Sequence, residues 1–516
     1  MSRPHSDPTT PGNKHLRHLT ELLSAHGQPP GAVAAAGWAA AMAAAVTESA
    51  ILDHGTGGEE IAAVLRTVDD DTDAYWNSAL STNDWKSSTP TQVAVRAGHV
   101  AALSGRAFSS NPADTRASWA LAVGAAAAAQ AVAESNAPAH PTRAALMAGT
   151  VDEIPDPVMV IDAHGSRVRT ADGRVLLDVS SGLYNTPLGH RHPAPAIAML
   201  AQASSVAAIN PFNSVTAIAD RVAERLLQLF DSPGGRVVFA SSGSEAVETA
   251  LRFALSVAGP TLHARPRTFH GITAGAAGLS TYASIRGPLP RMVQIHHHAI
   301  SEWNAPGVGV VEPAGIASGR PPLSATEREH LQHFRSRGGV VVVDEVLSGL
   351  GRTLWPGLTP ALGIPADIVV VGKGLANGIA PVSAVLLTAE MIGRIRASGP
   401  LDHGHTHTNH PTSLGAALGC LDALDGLDHD PTKLADAARD SGLEVTSLGW
   451  LATIAVPATP RDQLVRSLSR AGVLLHLPSM VSSVDRLVVA PPLTTEADDL
   501  AEMMRCLANV VEGLRG

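Results

Sequence analysis

The spacing of hydrophobic and polar residues changes near residue 145. Before that point, alanine-rich segments with helical periodicity alternate with polar loops, and runs typical of strands are hard to find. The segments that we predict to be helices are residues 16–26, 32–52, 59–68, 91–103 and 115–133. The chain therefore begins with a predicted helical domain over residues 1–145, and the proline-containing stretch 136–141 marks its edge.

After residue 150, short apolar runs rich in valine and isoleucine alternate with amphipathic helical segments. Runs that are apolar on both faces are typical of the central strands of a mostly parallel sheet covered by helices on both sides. These runs are residues 237–240, 308–311, 340–343, 368–371 and 382–387. We predict an α/β fold, in which ligands bind at the carboxyl ends of the strands.

A small polar loop follows the first of these strands. Ser242, Gly243 and Ser244 lie between the strand and a predicted helix. Their backbone N–H groups and hydroxyls suit a phosphate, because a helix N-terminus favours an anion. An ordinary N-cap by Ser241 or Ser242, with Glu245 in the first turn, explains the same residues.

Two carboxylates end the valine run 340–343, namely Asp344 and Glu345. A carboxylate at the end of a buried strand is costly unless it has a partner. A protonated heterocyclic nitrogen is one such partner. A helix cap, a salt bridge and an acidic metal-binding pair are the alternatives.

Lys373 follows the strand 368–371 and lies between Gly372 and Gly374. Desolvation at the end of an apolar strand lowers the pKa of a lysine and makes it a nucleophile. A phosphate-binding lysine is the alternative, although the GxxxxGK[ST] pattern of nucleotide-binding loops is absent.

Composition narrows the classes of function. The net charge is −10 and no run rich in lysine or arginine occurs, so we expect no nucleic-acid partner. Cys420 and Cys506 are the two cysteines, far apart and without metal-ligand spacing, which indicates a reducing, cytoplasmic location. The longest apolar run, residues 31–46, is too short and too rich in alanine for a membrane span, and no signal peptide is evident.

Seven blocks of sequence, in order, carry a family resemblance. They are LLDVSSGLYNTPLGHRHP (176–193), SSGSEAVETAL (241–251), FHGIT (269–273), VEP (311–313), DEVLSGLGRT (344–353), GKGLANGIAPVSAV (372–385) and HGHTHTNHPTSLGAALGCLDAL (403–424). Together they resemble the class III, ornithine/ω-amino-acid type, aminotransferases that depend on pyridoxal 5'-phosphate (PLP). No family is recognised in residues 1–145.

The resemblance implies the PLP fold type I. In that fold a mostly parallel central sheet has helices on both faces, and a small C-terminal domain follows. We therefore expect a PLP-binding large domain over residues 146–420 and a short small domain over 421–516.

The resemblance also implies roles for individual residues. Lys373 resembles the lysine that forms the internal aldimine and then acts as general base and acid. Asp344 resembles the carboxylate that pairs with the pyridinium nitrogen of PLP, whose ring acts as an electron sink. Val346 and Phe269 resemble the residues on the two ring faces, and Gly243 with Ser242 and Ser244 resembles the phosphate cup.

Three further roles follow from the same resemblance. Thr406 resembles a threonine that reaches the phosphate from a neighbouring subunit, which implies a homodimer with shared active sites. Glu312 resembles a glutamate on the hydroxyl side of the ring. His270 fits the family's aromatic-His-Gly turn, which it is expected to orient.

The implied function is transfer of an amino group from a small-molecule donor to a carbonyl acceptor by a ping-pong mechanism. Another PLP chemistry on the same fold is the alternative: an aminomutase, a racemase or a decarboxylase. A non-catalytic module that retains the cofactor is the third hypothesis.

The substrate half departs from the family pattern. Gly315 and His407 stand where the family has glutamine and an aromatic residue, and Arg486 alone precedes the closing APPL segment, so no substrate-carboxylate arginine is assigned. His403, His405 and His407 alternate as on one face of a strand, but the resemblance favours phosphate binding there over a metal site. We expect no metal.

Residues 1–145 have no counterpart in ordinary members of the family. One hypothesis is that they recognise a large or carrier-linked substrate, such as a modified peptide or polyketide in natural-product biosynthesis. The other is that they extend the dimer interface.

Overall fold

The structure, a computed structural model, describes residues 158–203, 205–281, 294–304, 306–315, 320–477 and 483–515. The predicted helical domain 1–145, with its five predicted helices and the stretch 136–141, lies outside the described residues. Within the described residues, no helix is both long enough and apolar enough to cross a membrane.

Strands and helices alternate along most of the described chain. The strands are β1 (Val160–His164), β2 (Arg167–Thr170), β3 (Val175–Asp178), β4 (Arg236–Ala240), β5 (Thr261–Ala264), β6 (Gln294–His297), β7 (Val308–Val311), β8 (Val340–Asp344), β9 (Ile368–Val371), β10 (Ser383–Leu387), β11 (Val445–Leu448), β12 (Leu451–Pro460), β13 (Val473–Leu474) and β14 (Ser483–Val489). The helices are α1 (Ser181–Tyr184), α2 (Pro193–Ala203), α3 (Ala217–Leu229), α4 (Gly243–Ala258), α5 (Ala274–Leu279), α6 (Ala325–Ser336), α7 (Leu358–Leu362), α8 (Ala389–Ser398), α9 (Pro411–Asp425), α10 (Lys433–Asp440), α11 (Arg461–Arg470) and α12 (Ala497–Arg515). Short 3-10 turns cover Ile300–Glu302 and Lys373–Ala376.

A seven-stranded sheet forms the centre of the described part. Its strand order is β4-β10-β9-β8-β7-β5-β6. Strand β10 runs antiparallel to both β4 and β9, whereas the pairs from β9 through β8, β7 and β5 to β6 are parallel. Each of the five predicted apolar runs is a strand of this sheet, with bounds that differ from the prediction by at most one residue.

The valine run of β8 is apolar on both faces because both faces of the sheet are covered. Val340 and Val342 belong to a core cluster with residues of α4, such as Val247 and Leu251. The alternate residues Val341 and Val343 belong to a second cluster that contains Leu331 and Phe334 of α6. This alternation follows from the two-residue period of a strand and places helices on opposite faces of the sheet.

Beyond the large sheet, the C-terminal part has a smaller sheet of its own. Strands β11, β12 and β14 form a three-stranded antiparallel sheet, and α10, α11 and α12 contact it. Strand β13 pairs in parallel with β3, so the C-terminal part also contacts an earlier segment of the chain. Helix α9 runs through residue 420, and the division into domains at 420/421 stays a prediction.

Candidate active site

Asp344 ends β8 and is buried at the carboxyl edge of the central sheet. Its Oδ1 accepts a hydrogen bond of 3.1 Å from Val346 N, and its Oδ2 lies 2.8 Å from Nδ1 of the buried His270. His270 Nε2 is buried and has no hydrogen-bond partner among the described residues. The carboxylate is thus held in one orientation by an imidazole that itself has an unused ring nitrogen.

Glu345 has a different environment from Asp344, although the two residues are adjacent. Its carboxylate accepts hydrogen bonds from Ser348 Oγ and from the backbone N and hydroxyl of Thr359. Burial raises the pKa of Glu345. Among the described residues, no group of three or more His, Cys, Asp or Glu side chains is arranged to hold a metal ion. Glu345 therefore ties the loop after β8 to α7, whereas the neighbouring Asp344 contacts His270.

Lys373 follows β9, the strand beside β8, where Asp344 is paired in register with Val370. It begins the Lys373–Ala376 turn with φ +39°, a left-handed backbone conformation that residues other than glycine rarely adopt. Burial lowers the pKa of Lys373, whereas the negative charges of Asp344 and Glu312 act to raise it. The sheet thus places a desolvated amine within electrostatic reach of the buried carboxylate.

Helix α4 begins at the end of β4, next to the loop after β8. Ser242 is its N-cap, and Ser242 Oγ accepts a hydrogen bond of 3.3 Å from Glu245 N. The predicted capping interaction is therefore present. Capping by one side chain leaves other N–H groups of the first turn without partners inside the helix, so an anion at this end is compatible with it.

Gly243 lies where α4 approaches Val346. A Cβ atom at Gly243 would lie 2.8 Å from Val346 Cγ1, closer than real contacts allow. At Gly271, with φ +123°, a Cβ atom would lie 2.6 Å from Ser244 Oγ, and that oxygen accepts a hydrogen bond of 3.2 Å from Ile272 N. The two glycines let the α4 loop, the Val346 loop and the turn at 269–273 converge.

Glu312 follows β7 on the same edge of the sheet. Its Oε2 lies 3.1 Å from Arg320 Nη2. Burial raises the pKa of Glu312 to about 7. The charge of His270 acts to lower this pKa, and the charge of Asp344 acts to raise it. Glu312 therefore changes its charge near neutral pH.

The predicted site residues from β4, β7, β8 and β9 and from the 269–273 turn converge at one edge of the sheet. Phe269 belongs to that turn and is partly exposed. Thr406 is exposed, and the neighbouring His405 Nε2 lies 3.3 Å from Glu245 Oε1 at the start of α4. Segment 403–407 thus lies beside the loop that precedes α4.

The alternating histidines of that segment do not lie on a strand, so that interpretation is wrong. Residues 401–410 form turns and irregular backbone. The His403 ring contacts Phe253 at 5.2 Å between centroids, and the His407 ring is 5.6 Å from that of His410. With His405 beside α4, the three imidazoles face three different neighbours, because a turn lacks the two-residue period of a strand.

The motifs alone did not identify an aromatic pair near Lys373. The rings of Tyr184 and His476 meet edge to face, with centroids 5.8 Å apart. Burial raises the pKa of Tyr184 and lowers that of His476. The positive charge of Lys373 also lowers the pKa of His476. Tyr184, one of three tyrosines and part of the block 176–193, could have been found from its rarity, whereas no sequence signal marks His476.

A sequence model of the family described as "Aminotransferase class-III" matches residues 148–306 and 307–511. The chain belongs to the class-III aminotransferase family. This finding confirms the family that the seven blocks indicated, and with it an enzyme of the aminotransferase class.

Individual relatives agree with this assignment. The chain is 30% identical over 378 residues to an acetylornithine aminotransferase of Streptomyces clavuligerus, a match that covers 69% of this chain and 91% of the relative. It is 26% identical over 424 residues to an omega-aminotransferase of Caulobacter vibrioides, with 69% and 93% covered. The omega transaminase of Pseudomonas jessenii in complex with PMP has a similar fold, with a TM-score of 0.62, 20% identity, and 70% of this chain and 94% of that chain covered. The predicted fold type is thereby confirmed.

This class-III aminotransferase uses PLP. The residues at the sheet edge fit that cofactor. A buried carboxylate, a desolvated lysine and the N-terminus of α4 lie on neighbouring elements. Gly243 allows α4 to approach Val346 closely, because a side chain at this position would collide with Val346.

Proposed function

We propose that Lys373 and Asp344 are the catalytic residues of this PLP-dependent aminotransferase. The observation that carries the proposal is their placement on adjacent strands, with the amine desolvated and the carboxylate buried. PLP, when bound, supplies an electron sink for the substrate carbon that loses its proton. Lys373 Nζ would accept and return that proton, and Asp344 would pair with the ring nitrogen, oriented by His270 Nδ1.

The remaining contacts to the cofactor follow from the same placement. Ser242, Gly243 and Ser244 would hold the phosphate at the start of α4, where the helix favours negative charge. Val346 and Phe269 would lie on the two faces of the ring. Glu312 would lie on its hydroxyl side, with a proton to donate near neutral pH.

Net transfer of nitrogen tests the reaction. The full-length protein is incubated with PLP, a ¹⁵N-labelled amino donor and a keto-acid acceptor, and the label in the acceptor's amine is measured by mass spectrometry. We expect label transfer by the unmodified protein and a loss of about 10⁴-fold in Lys373→Ala, since the proton transfers are lost. Lys433→Ala, which alters an exposed lysine paired with Asp428, is the matched control and should retain full activity.

The same experiment separates the alternatives. An aminomutase, a racemase or a decarboxylase would alter the labelled donor without moving label to the acceptor. A donor that is altered without label in the acceptor, or full activity in Lys373→Ala, would contradict the proposal.

We further propose a homodimer in which Thr406 reaches the phosphate of the neighbouring subunit. Phe212, Val215 and Ile272 are large apolar side chains with 70%, 63% and 69% of their surface exposed. Exposed apolar surface of this kind favours burial against another protein surface. A second copy of this chain is the occupant that we propose, because Ile272 belongs to the turn next to Phe269 and Ser244.

Mixing two inactive variants tests the shared site. A heterodimer of Lys373→Ala and Thr406→Ala would contain one site with both natural residues, whereas each homodimer would lack one. Co-expression of the two variants with different affinity tags should therefore restore part of the activity. Recovery of no activity in purified heterodimers, or a monomer by analytical ultracentrifugation, would contradict the shared site.

For the substrate, we propose a large or carrier-linked carbonyl compound of natural-product biosynthesis. The support is the departure at Gly315 and His407 and the 147 residues that precede the family match, which begins at 148. The full-length protein should turn over a peptide-linked ketone with a higher kcat/KM than a small keto acid. The reverse preference would contradict this proposal.

We propose a cytoplasmic location on the evidence of the thiols. Cys420 is buried and Cys506 partly buried, and both are free. Free thiols are typical of reducing compartments. Fractionation of the source cells with an antibody against the chain tests this proposal, and its recovery outside the cytoplasmic fraction would contradict it.

A further inference from the structure

Asn377 directly follows the turn that carries Lys373. Its φ of +51° is left-handed, and its backbone N donates to Gly374 O at 3.2 Å. The side chain is buried and makes two hydrogen bonds to a segment distant in sequence. Its Oδ1 accepts from Leu188 N at 2.8 Å, and its Nδ2 donates to Gly189 O at 2.9 Å. One amide thus bridges the lysine turn and the backbone at 188–189.

Close packing reinforces this bridge. A Cβ atom at Gly374 would lie 3.2 Å from Pro187 Cγ, and one at Gly378 would lie 2.9 Å from Thr186 Cγ2. On the side of α9, Cys420 Sγ donates to Gly374 O at 3.2 Å. The lysine turn is therefore held between segment 186–189 and α9.

Segment 186–189 also contacts the C-terminal part of the chain. It follows Tyr184, whose ring meets that of His476. The C-terminal APPL segment binds it as well, since Leu493 N donates to Pro187 O at 2.7 Å and Thr494 Oγ1 donates to Leu188 O at 3.0 Å. A displacement of this segment would therefore change the packing against the turn that carries Lys373.

We propose that Asn377 is a positioning residue that fixes the turn carrying Lys373, and with it the Lys373 amine, relative to segment 186–189. This inference rests on the proposed role of Lys373. Asparagine suits the position because it tolerates a left-handed backbone and offers both a donor and an acceptor on a short side chain. Asn377→Gly would keep the left-handed backbone conformation and remove both side-chain hydrogen bonds. Aspartate would keep the acceptor and place a carboxylate oxygen against Gly189 O.

The test compares Asn377→Gly and Asn377→Asp with the unmodified full-length protein. In the protein freed of PLP, the pH dependence of Lys373 acetylation is followed by peptide mass spectrometry. We expect the midpoint of that titration to move to higher pH in both variants, because a loosened turn admits water to the amine. In the PLP-loaded protein we expect kcat to fall by about 100-fold with little change in KM, as for a misplaced catalytic group.

Ser441→Ala is the matched control. It removes side-chain hydrogen bonds to backbone oxygens, at Ala437 O and Ala438 O in α10, and so touches neither the lysine turn nor segment 186–189. It should leave both the titration midpoint and kcat close to those of the unmodified protein. The proposal is overturned if both Asn377 variants match the unmodified protein, or if Ser441→Ala reproduces their losses.

Failure of the proposed function gives a different result. If the unmodified protein binds no PLP at Lys373, the role of Lys373 fails. The acetylation of PLP-free protein still reports whether Asn377 sets the environment of the amine. The two ideas therefore fail in separate measurements.

Discussion

At the scale of single residues, the charges around Lys373 determine the state of its amine. Burial lowers the pKa of Lys373, whereas the negative charges of Asp344 and Glu312 raise it. Glu312 is itself a variable charge, because burial raises its pKa to about 7. A rise in pH through neutrality therefore adds a negative charge near the amine and opposes loss of its proton.

Glu312 also makes stability depend on pH. A carboxyl with a higher pKa in the folded chain contributes stability below its unfolded pKa of 4.5 and loses it as the pH rises through about 7. Between about pH 5 and pH 8, the unfolding free energy of the PLP-free protein should fall by about 2 to 3 kcal/mol more than that of Glu312→Gln. Urea denaturation at the two pH values measures this difference. Glu444→Gln, at an exposed site, is the control, and equal pH dependence in Glu312→Gln and the unmodified protein would refute the expectation.

At the scale of elements, the site depends on how closely strand ends and helix starts approach. Runs of valine and isoleucine predicted β7, β8 and β9 well, because strands buried on both faces leave a continuous apolar signal. Strands β5 (TLHA) and β6 (QIHH) were not predicted, since their histidines interrupt that signal. The ring of His263 in β5 instead stacks on those of His296 and His298, a tertiary contact that no local pattern reveals.

Gly243→Ala tests the approach of α4 to the loop after β8. The new methyl group would meet Val346 Cγ1 at 2.8 Å. Overpacking costs about 1–3 kcal/mol, so we expect PLP affinity to weaken by about tenfold to a hundredfold in an absorbance titration. The double variant Gly243→Ala/Val346→Ala should recover part of the loss. Gly393→Ala in α8, where a Cβ meets nothing within 4 Å, is the control, and an unchanged affinity in Gly243→Ala would argue against a tight cradle.

At the scale of the whole molecule, the sequence predicted the sheet and the cofactor half of the site better than the substrate half. Asp344 ends an apolar strand and Lys373 closely follows another, so a local pattern locates them. Ser180 Oγ accepts from His476 N across 296 positions of sequence, and the contact between Tyr184 and His476 depends on the same long-range closure. Such contacts follow from the assembled fold and leave no periodic trace in the chain.

Peptide mapping shows which lysine binds PLP, and Lys373 is the residue that we propose. The chain has four lysines, Lys14, Lys86, Lys373 and Lys433, so the assignment has few alternatives. The PLP-loaded full-length protein is reduced with borohydride, digested and mapped by mass spectrometry. We expect a phosphopyridoxyl group on Lys373 and none on the other three lysines. Modification of another lysine, or of none in protein that retains PLP, would contradict this proposal.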